Sequence, residues 1–402
     1  MVWYSLDKGI VLTLAMGNRL FVVDFSSGKV AATRLIAEGG FAFVYEAANI
    51  RGEKYALKKV ITPYSDKPRS SALKKEIAIL KNLPKHPNIV TFYDSVCLVN
   101  DVLRQKHFYL LEELCKCNVY DLMKQSGESG LYENDILSIF QDVCMAIHHL
   151  HSQQPPIAHR DIKIENILIG FDGRAKLCDF GSCSWKHCVP PDNIMEIGMI
   201  LDEIEEHTTL DIRAPEQIDV YTKHRICEKV DIWALGVVLF VMCTGRNPFA
   251  VPSSGIVEKL GIVNCQVSGP DVWMHSDCLR NIITMLLTIS SEDRPSIFDV
   301  ISHCMEEHLL GNLSMWKPLI PNAAVWPTGN VCYMDEGSGG ESPVVCEGSG
   351  GRGSTCREIV GEGVCVPLST EPSCGQSDQR RVGERVGEGE GEEWQVYSCH
   401  SK

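Results

Sequence analysis

The stretch "AHRDIKIENILIG", residues 158–170, decides how the rest of the chain is read. It sets Asp161, Lys163 and Asn166 within six positions and runs directly into Ile167-Leu168-Ile169. Charge at this density suits a solvated loop, but an apolar triplet closed by Gly170 suits a short buried strand. A polar cluster tied to the end of such a strand is held in place. Eighteen residues after Asp161, "KLCDFGS" repeats the arrangement: a short strand, then Asp179, then a tight turn at Gly181. Two carboxylates and one amide at loop positions make the hard-oxygen set that Mg²⁺ takes, with water and phosphate completing its shell. A carboxylate beside an incoming hydroxyl can orient it and accept its proton, and a nearby lysine can steady a transferring phosphoryl group. The spacing predicts phosphoryl transfer.

Upstream, "EKYALKKVI", residues 53–61, reads as a strand with Ala56, Lys58 and Val60 on one face and Lys59 on the other. In "SALKKEIAILKNL", residues 71–83, Leu73, Ile77 and Leu80 share a helix face that turns Glu76 inward. A buried carboxylate needs a counter-charge, and Lys58 can supply it. Taken alone, Lys58 reads more readily as a surface lysine laid along an apolar strand. In "IAEGGFAFVY", residues 36–45, adjacent glycines let the backbone approach an anion. Ala37 and Ala42 stand where a glycine-rich phosphate loop would carry glycine, so a plain hairpin fits as well.

The whole chain has 402 residues and a formal net charge of −14, which disfavours a nucleic-acid partner. Half of that excess lies in residues 329–402, with 13 acidic and 6 basic side chains. This Gly-, Glu- and Ser-rich stretch is expected to be a disordered tail. Of 18 cysteines, twelve lie between Cys97 and Cys304, mostly in apolar segments, with no paired zinc spacing. They read as reduced core thiols. With no leader peptide and no apolar run of eighteen residues, a cytosolic address is expected. Residues 10–61 read as strands separated by turns at Gly17-Asn18, Ser26–Gly28 and Arg51-Gly52. After Asn118 the pattern is mainly helical, and "DIWALGVVLFVMCTG", residues 231–245, is apolar all round. A small strand-rich part before a larger helical part suggests a ligand cleft between two lobes.

Taken in order, the glycine loop, "YALKK", the helix Glu, "HRDIKIEN", "DFG", "RAPE" and "DIWALG" resemble a eukaryotic serine/threonine protein kinase domain. More narrowly, "AEGGFAFVYEA", "HPNIV", "ELCK", "KLCDFGS" and "HTTLDIRAPE" resemble the Numb-associated kinase family, which includes cyclin-G-associated and adaptor-associated kinases. The resemblance implies a two-lobed α+β fold. Its parts would be a strand extension (1–29), a kinase domain (30–310), a linker (311–328) and the tail. Within the domain it implies an N-lobe to about 112, a hinge at 113–118 and a C-lobe from 119. ATP and Mg²⁺ are the implied cofactors. Lys58, positioned by Glu76, would hold the α- and β-phosphates, Asp161 would be the base, and Lys163 would contact the γ-phosphate. Asn166 and Asp179 would bind Mg²⁺. Ile36, Ala37, Glu38, Gly39, Gly40, Phe41, Val44, Ala56, Glu112, Glu113, Cys115 and Leu168 would complete the nucleotide pocket. Thr209 would tie Lys163 to the substrate loop, Glu216 would pair with Arg294, and Asp231 would brace the catalytic loop.

Implied substrates are proteins, clathrin-adaptor subunits or other endocytic proteins among them, with the enzyme at endocytic or vesicle membranes as a peripheral protein. A pseudokinase scaffold and a small-molecule kinase stay open as alternatives. Three further expectations follow from particular residues. "NIMEIGMILDEIEE", residues 193–206, predicts a helix over 194–206 docked by Ile194, Ile197, Leu201 and Ile204. That helix could hold the segment open without phosphorylation. Cys178 should line the cleft with its thiolate favoured by Lys58. Glu112 should stand at the back of the adenine pocket, with Leu111 as the alternative, and should pair with Lys58 when nucleotide is absent.

Overall fold

The structure is a computed structural model that describes residues 5–6, 10–11, 20–39, 42–127, 130–269 and 273–306, the first two pairs as backbone only. Period-two patterning gives strands β1 (Ser5–Leu6), β2 (Ile10–Val11), β3 (Phe21–Phe25), β4 (Gly28–Gly39), β5 (Ala42–Asn49), β6 (Lys54–Pro63), β7 (Phe92–Asn100) and β8 (Gln105–Glu113). They form one antiparallel sheet in the order β1-β2-β3-β4-β5-β6-β8-β7. Helix α1 (Lys67–Asn82) is inserted between β6 and β7; its N-cap Asp66 accepts from the Arg69 N–H, and a proline sits in its first turn.

The two faces of this sheet have separate cores. Val60, Phe108 and Leu110 join α1 and the larger helical core. Leu57, Tyr109 and Leu111 point the other way, into a cluster with Phe21, Val23 and Phe25 of β3. Strand β3 thus covers an outer surface that β5, β6 and β8 would otherwise leave wet. Ser26 Oγ donates to Asp94 Oδ2 at 2.6 Å, tying the β3–β4 turn to β7 as the sheet curls round.

The C-lobe begins with β9 (Cys117–Asn118), α2 (Val119–Ser126) and α3 (Glu133–His151). A small sheet, β11 (Ala175–Leu177), β10 (Ile167–Ile169) and β9, carries the loops at the cleft. Helices α4 (Ile194–His207), α5 (Pro215–Ile218), α6 (Val230–Thr244), α7 (Lys259–Val263), α8 (Asp277–Leu286) and α9 (Ile297–Glu306) follow. Uniformly apolar α6 is the buried axis. A Cβ on Gly236 would meet Leu286 and Leu287 side-chain atoms at 2.9 Å, so glycine is what lets α6 and α8 close. Phe249 of the "NPF" tripeptide is buried and stacked on Trp233 at 5.4 Å, so it serves packing. Among the described residues no helix is long and apolar enough to cross a membrane. The linker and tail expected over 311–402 lie outside the described residues.

Candidate active site

Strand register decides which side chains meet in the cleft. Lys58 faces Leu110 and Ala56 faces Glu112 across β6 and β8, so these four residues share one face. Leu111 lies on the outer face, which removes it as the alternative to Glu112. Helix α1 presents Glu76 at 3% exposure to the same space. Lys58 Nζ donates to Glu76 Oε1 at 2.9 Å and to Asp179 Oδ1 at 2.9 Å. Burial lowers the lysine's pKa, but the Asp179, Glu76 and Glu112 carboxylates outweigh it and raise it well above the usual value. In return, Lys58 holds the Asp179 carboxyl at about 2.

The expected Glu112–Lys58 pair is not formed. One ammonium faces three carboxylates, and Glu76 and Asp179 take it. Glu112 is a diagonal neighbour of Lys58 across the strand pair, a separation of about 7–8 Å between backbones. Half-buried and without a side-chain hydrogen bond among the described residues, its carboxyl is pushed up to about 7 by burial. Lys58 opposes that shift, while Glu76 and Asp179 add to it.

The loop that carries Asp161 is built from the core outward. Asp231, fully buried on α6, accepts from the backbone N–H of His159 (2.7 Å) and of Arg160 (2.8 Å), and lies 2.9 Å from His151 Nε2. His159 Nε2 donates to the Cys178 carbonyl at 3.1 Å, linking this loop to the one carrying Asp179. Arg160 and Asp179 both have positive φ, 67° and 63°, a conformation that costs a non-glycine residue about 1–3 kcal/mol and needs surroundings that enforce it. Asp161 is then surrounded. Its Oδ1 accepts from Thr209 Oγ1 at 2.7 Å; its Oδ2 accepts from Lys163 Nζ at 2.8 Å and Asn166 Nδ2 at 2.9 Å. Lys163 Nζ also donates to Thr209 Oγ1 at 2.9 Å, so lysine, threonine and aspartate form one closed network.

Asn166 also donates from Nδ2 to the Asp161 carbonyl, which leaves its amide oxygen as the atom able to face a cation. With the 46%-exposed Asp179 carboxylate, that makes a pair of hard oxygen donors on adjacent loops. This set suits Mg²⁺. Among the described residues no cluster of three or more His, Cys, Asp or Glu side chains is arranged to hold a metal alone, so such an ion would need oxygens from its phosphate partner and water.

At the cleft mouth, a space of about 380 Å³ is lined by Ile36, Leu114, Cys115 and Phe171, among others. The Ala37↔Val44 and Glu38↔Phe43 pairs and the Gly39↔Ala42 pair place the β4–β5 hairpin, while its tip residues Gly40 and Phe41 lie outside the described residues. Leu168 pairs with Asn118 and Lys176 in the small sheet. Glu113 is fixed by its side chain: Thr91 N–H and Oγ1 donate to it at 3.2 and 3.0 Å, and Lys176 pairs with it at 3.0 Å.

Away from the cleft, Arg294 meets Glu216 through two parallel hydrogen bonds of 2.8 and 2.9 Å. Its remaining donors reach the carbonyls of Thr288, Lys229 and Ile289, so all five N–H groups are satisfied.

Two other expectations need correction. Helix α4 buries Ile197 and Ile204 and half-buries Leu201, but Ile194 is 80% exposed because the first turn extends beyond the core. Cys178 is half-buried in the cleft, yet burial and the neighbouring Asp179 and Glu112 carboxylates raise its thiol well above the usual value, against the weaker pull of Lys58. The thiolate is therefore disfavoured. Several functional contacts have no local signature. His151, the last residue of α3, is buried on Asp231, and Arg160 pairs with Glu203 of α4 at 3.1 Å. Arg213 binds Glu205, Thr208 and the Ile204 carbonyl at the end of that helix.

A mainly β lobe and a helical lobe enclosing this lysine, aspartate and asparagine set define the two-lobed α+β fold of a protein kinase. The protein kinase domain model matches residues 30–305, and the chain belongs to that family. It is 38% identical over 288 residues to a probable serine/threonine-protein kinase of Dictyostelium discoideum, covering 71% of this chain and 35% of that protein. It is 36% identical over 289 residues to the actin-regulating kinase PRK1 of Saccharomyces cerevisiae (70% and 34%). It is 34% identical over 291 residues to the serine/threonine-protein kinase ppk30 of Schizosaccharomyces pombe (71% and 29%). The chain thus spans about a third of the length of these relatives.

Proposed function

We propose that this chain is an active serine/threonine protein kinase that transfers the ATP γ-phosphoryl group to protein hydroxyls. The observation that carries this reading is the closed Asp161–Lys163–Thr209 network beside the Lys58–Glu76–Asp179 cluster. Lys58, held by Glu76, takes the α- and β-phosphates. Asn166 and Asp179 would hold Mg²⁺, whose Lewis acidity would neutralise phosphate charge. Asp161 orients the substrate hydroxyl and accepts its proton, Lys163 steadies the transferring group, and Thr209 joins both to the peptide platform. Glu113 and Cys115 meet the adenine through backbone groups, with Ile36, Val44, Ala56 and Leu168 around the ring. Gly39, Gly40 and Phe41 cover the phosphates. Glu216–Arg294 and Asp231 are structural.

The complete set of Lys58, Asp161, Asn166 and Asp179 favours turnover over a pseudokinase scaffold. The resemblance of the chain's motifs to the Numb-associated family supports membership of it and, with that, protein substrates at endocytic or vesicle membranes; one relative is named as actin-regulating. The domain limits 1–29, 30–310, 311–328 and 329–402 are part of the same proposal. The test is radiolabelled ATP with Mg²⁺ and a generic protein substrate. Wild type labels serine or threonine, and Asp161→Asn loses about 10²–10⁴-fold in kcat, the usual contribution of a general base. Equal labelling by both proteins overturns the assignment.

A further inference from the structure

The turn between β7 and β8, Asp101-Val102-Leu103-Arg104, points aliphatic side chains outward at the end of the sheet away from the hinge. Val102 is 83% exposed, Leu103 60%, and Val99 at the end of β7 56%. Polar or small residues are the usual occupants of such a turn. Its backbone is closed on itself: Leu103 N–H donates to Asn100 Oδ1 at 3.0 Å and Arg104 N–H to the Asp101 carbonyl at 3.3 Å. The β6–α1 linker clamps it from the side. Tyr64 N–H donates to the Arg104 carbonyl at 3.0 Å and Tyr64 Oη to Asp101 Oδ1 at 2.7 Å. These bonds hold Val102 and Leu103 out in solvent.

Cations frame the tip. Arg104 follows it directly, Lys106 faces Val99 across the strand pair, and the Tyr64 clamp brings in the first turn of α1 with Lys67. Helix α1 is one-sided in charge. Lys67, Lys74 and Lys81 are exposed at seven-residue spacing, while its single acidic side chain, Glu76, is buried. Asp66 and Asp101 are the acids beside the tip, and both are engaged: Asp66 accepts from the Arg69 N–H at 3.1 Å, and Asp101 from Tyr64. This basic, aliphatic end belongs to a chain of formal net charge −14.

We propose that the β7–β8 tip and the lysine face of α1 form a docking surface for an anionic lipid bilayer, with Val102 and Leu103 entering its headgroup region. Aliphatic side chains surrounded by lysine and arginine match an apolar interior beneath negative headgroups. A projecting tip of this kind is far smaller than the roughly 800 Å² per partner of a specific protein interface, whereas a bilayer is held by a few inserted side chains and nearby cations. Each basic residue near such a leaflet adds about fivefold in partition. The Leu103 and Arg104 N–H groups already have acceptors, so insertion leaves them satisfied. Register also sets Ala42 of the β4–β5 hairpin opposite Val60, three positions before Pro63 at the tip's end of β6. The hairpin over the cleft therefore lies towards the end of the sheet that meets the lipid. The proposal rests on the membrane location proposed above and gives it a contact surface; it does not depend on turnover.

The test is co-sedimentation of the full chain with vesicles of phosphatidylcholine alone or mixed with phosphatidylserine. Binding to the mixed vesicles should be stronger by about tenfold or more and should weaken with added salt. The double variants Val102→Glu/Leu103→Glu and Lys67→Glu/Arg104→Glu should each lose about tenfold or more of that binding, while labelling a soluble protein substrate within about 3-fold of wild type. No preference of wild type for the mixed vesicles, or wild-type binding by either double variant, overturns the proposal. So does retention on poly-glutamate beads without vesicle binding, which would make the occupant an acidic protein. Asp161→Asn should bind vesicles as wild type does. A wild-type chain that binds vesicles but labels no substrate contradicts the kinase reading alone, and one that labels without binding contradicts this surface alone.

Discussion

The Glu216–Arg294 pair and the Lys58 cluster use the same chemistry to opposite ends. In the first, one carboxylate meets one guanidinium at 1% and 0% exposure, and every arginine donor has a partner. In the second, one ammonium faces Glu76, Asp179 and Glu112, and Asp179 stays 46% exposed. A balanced, sealed pair has nothing left to bind. A cluster with surplus carboxylate and an open edge has negative charge to spare, which is what the proposed metal–nucleotide site requires. The contrast separates residues that hold the fold from residues the proposed function assigns to chemistry, although both sets are charged and both include buried members.

The largest effect should come from breaking the sealed pair. Glu216→Ala leaves a buried guanidinium uncompensated and should cost about 3–5 kcal/mol in denaturant unfolding, with turnover per folded molecule retained. A cost below about 1 kcal/mol, typical of an exposed ion pair, would erase the distinction between the two regions.

Glu112 sharpens the comparison from the open side. Its carboxyl titrates near 7 in the fold against 4.5 ordinarily. Below about pH 4.5 both folded and unfolded states carry the proton and there is no penalty. Between 4.5 and 7 the unfolded chain ionises while the fold keeps the proton, so stability contributed by the neutral form is lost as pH rises. Wild type should therefore lose about 1–3 kcal/mol relative to Glu112→Thr between pH 4.5 and pH 8 in paired unfolding curves, discounted for partial exposure. Since Lys58 is already engaged by Glu76 and Asp179, Glu112→Thr should leave kcat/KM within a few-fold. A loss beyond about 2–3 kcal/mol would place Glu112 in the chemistry.

Cys178 gives a smaller, kinetic effect. Its raised thiol should make alkylation at pH 7 slow beside glutathione, rising about tenfold per pH unit as the thiolate appears. Mass spectrometry after timed exposure to iodoacetamide measures it. Labelling as fast as glutathione would mean that Lys58, not the carboxylates, sets its charge.

Much of the cleft was legible in the chain because its geometry is local. Asp161, Lys163 and Asn166 lie within one loop, so spacing alone brings them near; strand alternation gives only the face of Lys58, and its place in the site came from resemblance. The sealed pair came from resemblance, since Glu216 and Arg294 are 78 positions apart. What the chain hid are choices made by tertiary competition. Which of three carboxylates wins Lys58 depends on where α1 and the Asp179 loop arrive. Ile194 belongs to the right helical face but lies one turn beyond the core. His151, Arg160, Glu203 and Arg213 find partners 80, 43, 43 and 8 positions away, with nothing in their immediate neighbours to announce it.

The central claim, that the open cluster is reserved for a metal–nucleotide ligand while the sealed pair serves stability, is tested most directly by the thermal shift on adding Mg²⁺ and ATP. Ligand that binds only the folded state raises stability by RT ln(1 + [L]/Kd), about 2.7 kcal/mol at a hundredfold excess over Kd. Wild type should show a rise in Tm that needs Mg²⁺ and ATP together. Asp179→Asn should melt close to wild type without ligand, because Glu76 still holds Lys58, and should lose the Mg²⁺-dependent part of the rise. An undiminished Mg²⁺-dependent shift in Asp179→Asn, or a ligand-free melting point lowered as far as that of Glu216→Ala, would contradict the account.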